Sequence, residues 1–170
     1  MTALNIVCEN IYKDKTSVNV EDIANKIFNF YMSCAPISEN SCLKKYGYES
    51  VSFDFLLCDG EKTHEINKEY RGKDYPADII TFAVFADSPE EEKFVLDGDI
   101  NLGEIIIALD KIEESAKMKN ISKEDELIFF ISHGILHLLG FDHQTQEDYN
   151  FVVGYQKKAL ESINIYYDKV

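Results

Sequence analysis

Positive charge is scarce in this 170-residue chain. A single arginine, Arg71, stands among sixteen lysines, and 17 basic side chains face 31 acidic ones, for a formal net charge of −14. An average surface of that sign favours solubility and repels free nucleic acid, so any RNA contact has to come from a local basic patch or through a partner. Paired cysteines are missing too. Cys8, Cys34, Cys42 and Cys58 lie 26, 8 and 16 residues apart, with no C-x-x-C pair. That fits reduced thiols in a cytosolic protein rather than a disulfide framework or a structural zinc site. The opening residues, MTALNIVCEN, hold neither the basic segment nor the long apolar run of a secretory leader. The longest apolar stretch, Leu127–Phe141, is interrupted by His133 and His137 and is shorter than the ~20 residues that span a bilayer. It reads as a buried core helix.

Hydrophobic residues make up 45% of the chain and charged ones 28%, an ordinary globular balance for one domain over residues 1–170. Alternation and β-branching predict strands at Leu4–Cys8, Val51–Cys58, Asp78–Phe85 and Leu102–Leu109. Helical spacing predicts helices at Val20–Cys34, Thr63–Arg71, Lys111–Lys119 and Tyr149–Ile163. A further helix opens at Ser122, whose S-x-x-D pattern with Asp125 is a capping signal, and closes before Gly140. Asp87–Lys93 reads as a charged, solvated loop. The fold class is α+β: a small mixed four-stranded sheet packed with about five or six helices, the chemistry sitting on a central one.

That chemistry is carried by HGILHLLGFDH, which holds His133, His137 and His143, three of the four histidines. Residues i and i+4 share a helix face, so His133 and His137 can offer nitrogens to one ion, and a third ligand can swing in after a glycine-terminated helix. Three protein ligands leave a fourth position open, as in catalytic rather than structural zinc sites. The competing reading is a pair of hydrogen-bonded core histidines and a surface one. The spacing matches the skeleton H-E-x-x-H-x-x-G-x-x-H of metal-dependent peptidases, but Gly134 stands where they carry the general base. Glu126, two turns before His133, is about 10 Å away by helical rise and reads as a capping or solvated charge. Zinc lowers the pKa of its water to about 7 without that glutamate. Phosphodiester cleavage in RNA then needs mainly a cation for the phosphoryl oxygens, the role a guanidinium fork suits. Arg71 is the candidate; its alternative is capping a helix end or pairing with Asp74 or Asp78.

The histidine run resembles the H-G-x-L-H-L-x-G-Y-D-H signature of the YbeY family of rRNA maturation factors and single-strand endoribonucleases. Ile66-Asn67-Lys68-Glu69-Tyr70-Arg71 resembles that family's L-N-x-x-Y-R, Asp78–Phe82 its D-V-L-S-F, and Leu102–Ile105 its L-G-D-I. Departures are Phe141 for Tyr, Ala77 for Thr, Ala83 for Pro and Glu104 for Asp. The resemblance implies one zinc ion per chain held by His133, His137 and His143 at the bottom of a cleft, with Arg71 in that cleft as the phosphate contact. It implies single-stranded RNA as substrate, in maturation of the small-subunit rRNA 3′ end and ribosome quality control. The small ribosomal subunit and its proteins would be the partners, in the cytoplasm and away from membranes. Only Lys68, Arg71 and Lys73 supply positive charge near these motifs. Asp142 is either an acceptor orienting a histidine or a surface acid. The competing functions are a ribosome-assembly factor with structural zinc and no turnover, and a metallopeptidase, which Gly134 disfavours.

Overall fold

The computed structural model describes residues 2–169. Four strands, β1 (Ala3–Asn10), β2 (Ser50–Cys58), β3 (Ile79–Phe82) and β4 (Asp99–Ala108), form one sheet in the order β1-β2-β4-β3. β1, β2 and β4 are parallel, and β3 runs antiparallel to β4. The helices are α1 (Val20–Ser33), α2 (Ala35–Ser38), α3 (Gly60–Arg71), α4 (Val84–Asp87), α5 (Leu109–Lys119), α6 (Lys123–Leu138) and α7 (Gln146–Glu161). The α+β class, the mixed four-stranded sheet and the five long helices match expectation; α2 and α4 are additional single turns. No helix among the described residues is long and apolar enough to cross a membrane.

Strand alternation divides the two faces. Val51, Phe53, Phe55 and Leu57 of β2 are buried on one side with Ile100, Leu102, Ile105 and Ile107 of β4. The inward positions of β4 switch from even to odd numbers because it carries one extra residue between Asn101 and Gly103 relative to β2, a bulge. α6 lies against this face, packed also by α1, α5 and α7. It is buried nearly all round, which explains its continuous apolar sequence. The opposite face is covered in part by α3, whose Ile66 packs with Cys58, Ala77, Ile80 and Ile106.

The expected strand Asp78–Phe85 stops early. β3 ends where Phe82 pairs with Glu104, beside Gly103, whose φ is +128° and where an added Cβ would stand 1.9 Å from the Phe82 carbonyl oxygen. Backbone passes backbone there with no room for a side chain, and the chain turns into α4 instead of extending the ladder. All four cysteines are free, as expected.

Candidate metal centre

Both ends of α6 are built by its own sequence. Ser122 Oγ accepts from the Asp125 amide at 3.0 Å, the expected cap. At the other end the Gly140 amide donates to the His137 carbonyl and the Phe141 amide to the Leu136 carbonyl, each at 3.0 Å, with Gly140 at φ +100°. This pair of bonds is the Schellman closure that a left-handed glycine permits. It reverses the chain and returns His143 to the face that carries His133 and His137.

The three imidazoles converge. One ring nitrogen from each lies within 4.8 Å of the others, and the ring centroids stand 4.5, 5.3 and 5.3 Å apart. His133 Nε2 and His137 Nε2 face each other at 2.9 Å. Nitrogens on one tetrahedral ion would stand about 3.3–3.4 Å apart given metal–nitrogen distances of about 2.0–2.1 Å, so seating an ion needs these rings to part by only a few tenths of an ångström. Burial holds the His133 imidazole below its ordinary pKa. Burial, reinforced by His133 and His143, brings His137 down to about 4. Both are neutral at pH 7, the state in which a nitrogen lone pair can ligate. The donor set therefore fits a borderline-soft divalent ion. The fourth histidine, His64, lies elsewhere, 2.6 Å from Asp74.

Gln156 of α7 holds His133 from behind, and sequence reasoning missed it. The amide is 1% exposed. Its Nε2 donates to the Phe129 carbonyl at 3.4 Å and to Ser132 Oγ at 3.3 Å. With both N–H groups engaged, Oε1 is left to accept from His133 Nδ1, 3.4 Å away. A proton on Nδ1 leaves the lone pair on Nε2, the nitrogen that faces His137. Asp142, considered for that orienting role, is exposed and makes no hydrogen bond to a histidine among the described residues. Phe141, which stands where the family pattern has tyrosine, stacks on Phe151 at 5.5 Å.

Gly134, adjacent to His133, faces β4. A Cβ there would lie 2.8, 2.9 and 3.1 Å from three side-chain atoms of Ile105, so the residue that lacks a general base also lets helix and strand approach. Glu126 is neither a cap nor a solvated charge. It is fully buried, accepts from Tyr167 Oη and from Ser115 Oγ at 2.6 Å each, and pairs with Lys119 Nζ at 3.0 Å. Its oxygens are occupied, which removes it as a base.

Arg71 ends α3 and is exposed. Its guanidinium donates to Asn67 Oδ1 at 3.2 Å, while Asn67 Nδ2 donates to the Tyr75 carbonyl at 2.9 Å. No carboxylate lies within ion-pair distance of it among the described residues; Asp74 is taken by His64 and Lys68. Arg71, Lys68 and Lys73 are absent from the described wall of the cleft beside the histidines. That cleft has a volume of about 380 Å³, and His133 and His143 share its wall with Asp78, Lys119 and Lys169.

Comparison with known proteins identifies the family and the fold. Residues 8–164 match the family described as Endoribonuclease YbeY. A protein named Endoribonuclease YbeY from Fusobacterium nucleatum is 35% identical over 159 residues, covering 87% of this chain and 94% of its own. Another of that name from Bacillus pumilus is 42% identical over 119 residues, covering 69% and 75%. The solution structure of TM1509 from Thermotoga maritima superposes with a TM-score of 0.53 at 25% identity, covering 94% of this chain and 91% of that one.

Proposed function

The chain belongs to the Endoribonuclease YbeY family, and from that premise we propose that it is a zinc-dependent endoribonuclease cutting single-stranded RNA, with His133, His137 and His143 as the metal ligands. The observation that carries the reading is the convergence of three imidazole nitrogens within 4.8 Å at the edge of a cleft. A zinc ion bound there supplies positive charge for a phosphoryl oxygen and acidifies water. The protein's own contributions are distinct. Neutral His133 and His137 offer their Nε2 atoms, and Gln156 fixes the His133 tautomer. The Schellman turn at Gly140 places His143, and three protein ligands would leave a bound ion open to solvent and substrate.

Arg71 is the proposed phosphate contact. Support comes from its exposed guanidinium, tethered by Asn67 and free of any carboxylate partner among the described residues. A guanidinium without an internal counter-charge is available to bind a phosphate bidentately. The wider role we propose is small-subunit rRNA 3′ end maturation and ribosome quality control in the cytoplasm, the 170 residues acting as one domain docked to the small ribosomal subunit. The strongly acidic surface supports docking through a partner, since it offers free RNA little general attraction. The peptidase reading is disfavoured because the position beside the first histidine carries no base: Gly134 has no side chain, and Glu126 is enclosed.

The test is metal analysis and cleavage on the purified protein. One zinc per chain, cleavage of a single-stranded oligoribonucleotide that stops with a chelator and returns with zinc, and loss of both zinc and cleavage in His137→Ala are the expected results. Cleavage that persists undiminished in a metal-free His137→Ala preparation refutes the catalytic reading. Zinc retention and ribosome binding with no turnover on any RNA would make the ion structural.

A further inference from the structure

The cleft beside the histidines has walls suited to more than a metal and a phosphate. Next to His133 and His143 it presents Phe130, Tyr149, Val152 and Val153, with Lys119 and Lys169 completing the wall. Tyr149 is 40% exposed, and its ring meets His143 edge-on at 6.5 Å, so an aromatic face stands directly beside the metal cluster. Asp78 is the one carboxylate on the described wall, in a chain of net charge −14. The Lys119 ammonium is held rigidly, 3.0 Å from Glu126 Oε2 and 2.8 Å from Tyr167 Oη. Tyr167 itself is stacked on Phe129 at 3.9 Å. The groove on the other face of the sheet is larger, about 590 Å³, but on its wall Asp54, Glu65, Glu69 and Glu104 outnumber the single cation, Lys62. That charge repels a phosphate backbone.

We propose that this cleft is a nucleobase subsite. The nucleotide adjoining the scissile phosphate unstacks from its neighbours, lays its base against Phe130, Tyr149 and Val153, and turns its backbone toward Lys169 and Lys119. A volume of about 380 Å³ is at the small end of ligand sites, room for one base rather than two. Aromatic platforms beside cations are how single strands are gripped without a sequence code, since every base has a π-face. An A-form duplex keeps its bases stacked inside and has none to offer. The subsite therefore selects single strands by geometry. It rests on the ribonuclease reading above.

The test uses the zinc-loaded full chain and a labelled single-stranded octaribonucleotide, together with versions in which each nucleotide in turn is abasic. One abasic position next to the cut should lower kcat/KM by between about 5- and 150-fold, the range expected for losing one stacked base. Phe130→Leu and Tyr149→Ala should lower kcat/KM on the parent strand and flatten the difference between parent and abasic strands. Lys169→Glu, at an exposed position, should raise KM with little change in kcat and make binding less salt-dependent. Anisotropy of the labelled parent strand, measured with chelator present, should rank the variants in the same order. Bound zinc and melting temperature show that each variant is folded. A wild-type enzyme that cleaves RNA but tolerates abasic sites everywhere overturns the subsite and leaves the ribonuclease reading standing. So do variants that discriminate as the wild type does. A wild-type protein that neither binds nor cleaves RNA overturns both.

Discussion

Gly134→Ala is the most direct probe of how packing and chemistry meet in this molecule. A methyl at position 134 would sit 2.8 Å from Ile105 Cδ1, 2.9 Å from Cγ2 and 3.1 Å from Cγ1, against about 3.5–4.0 Å for an ordinary carbon contact. Ile105 is fully buried on β4, so it has nowhere to retreat. Either α6 lifts from the sheet by several tenths of an ångström or Ile105 leaves its rotamer. Overpacking of this kind costs about 1–3 kcal/mol, while replacing glycine by alanine inside a helix returns at most about 1 kcal/mol. With the full return subtracted, the net expectation is a destabilisation of up to about 2 kcal/mol, or up to roughly 8 °C in Tm for a chain of this length. His133 is the adjoining residue, so the lift also moves that proposed ligand relative to His143, and zinc affinity should fall. Thermal unfolding with and without chelator measures both effects. In Gly134→Ala/Ile105→Ala the methyl fills part of the space vacated, so the double variant should be less destabilised than the sum of the singles, by about 1 kcal/mol or more. A Gly134→Ala protein as stable as the wild type, with additive behaviour in the pair, would refute the close approach as the reason for the glycine.

Three further expectations test other parts of the site. With chelator present, stability should fall as pH drops from about 6.5, where an unfolded imidazole titrates, to about 4, where buried His137 does. Across that window the unfolded chain takes up a proton that the folded one refuses. Denaturant midpoints should therefore fall further in the wild type than in His137→Gln, and equal falls would remove His137 as the cause. Gln156→Leu should weaken zinc binding by about 10–100-fold, read by competition with a metal-sensitive dye, because His133 loses the acceptor that fixes its tautomer; unchanged affinity would assign Gln156 to packing alone. Glu126→Gln should cost about 2–3 kcal/mol of stability, less than breaking a fully enclosed pair, because Lys119 also reaches the cleft. Below its melting temperature that variant should still cleave RNA, and a folded but inactive one would place Glu126 in the chemistry.

The three-histidine cluster is legible in the sequence because every instruction for it is local. The i, i+4 spacing, the Ser122 cap and the glycine at position 140 act within a few residues of the histidines they arrange. What is not legible depends on distant partners. Gln156 reaches His133 from 23 positions away on another helix, and nothing in a glutamine's neighbours distinguishes a buried one from an exposed one. Glu126 looks like a first-turn helix acid, and its burial depends on Ser115, Lys119 and Tyr167. The early end of β3 is set by the close backbone approach of Gly103 on its partner strand, which alternation within β3 itself cannot reveal. Arg71 stands where the motif expects it, yet the described cations on the cleft wall are Lys119 and Lys169, drawn from the end of α5 and the C-terminal segment.

Position 134 also changes how the missing glutamate is understood. As a sequence feature it is a chemical absence: no base beside the first histidine, which disfavours a peptidase. In the structure the position points at Ile105 rather than toward the ring nitrogens, and any side chain there would collide with the sheet. Gly134→Glu would complete the peptidase motif on paper and drive a carboxylate into the core, where an unpaired charge is strongly disfavoured. The helix can lie this close to β4 only because the base is absent. The same contact fixes the ledge from which His133 and His137 project. Packing and chemistry are thus constrained by one residue, so the histidine spacing of a peptidase can persist in a chain whose family cleaves RNA.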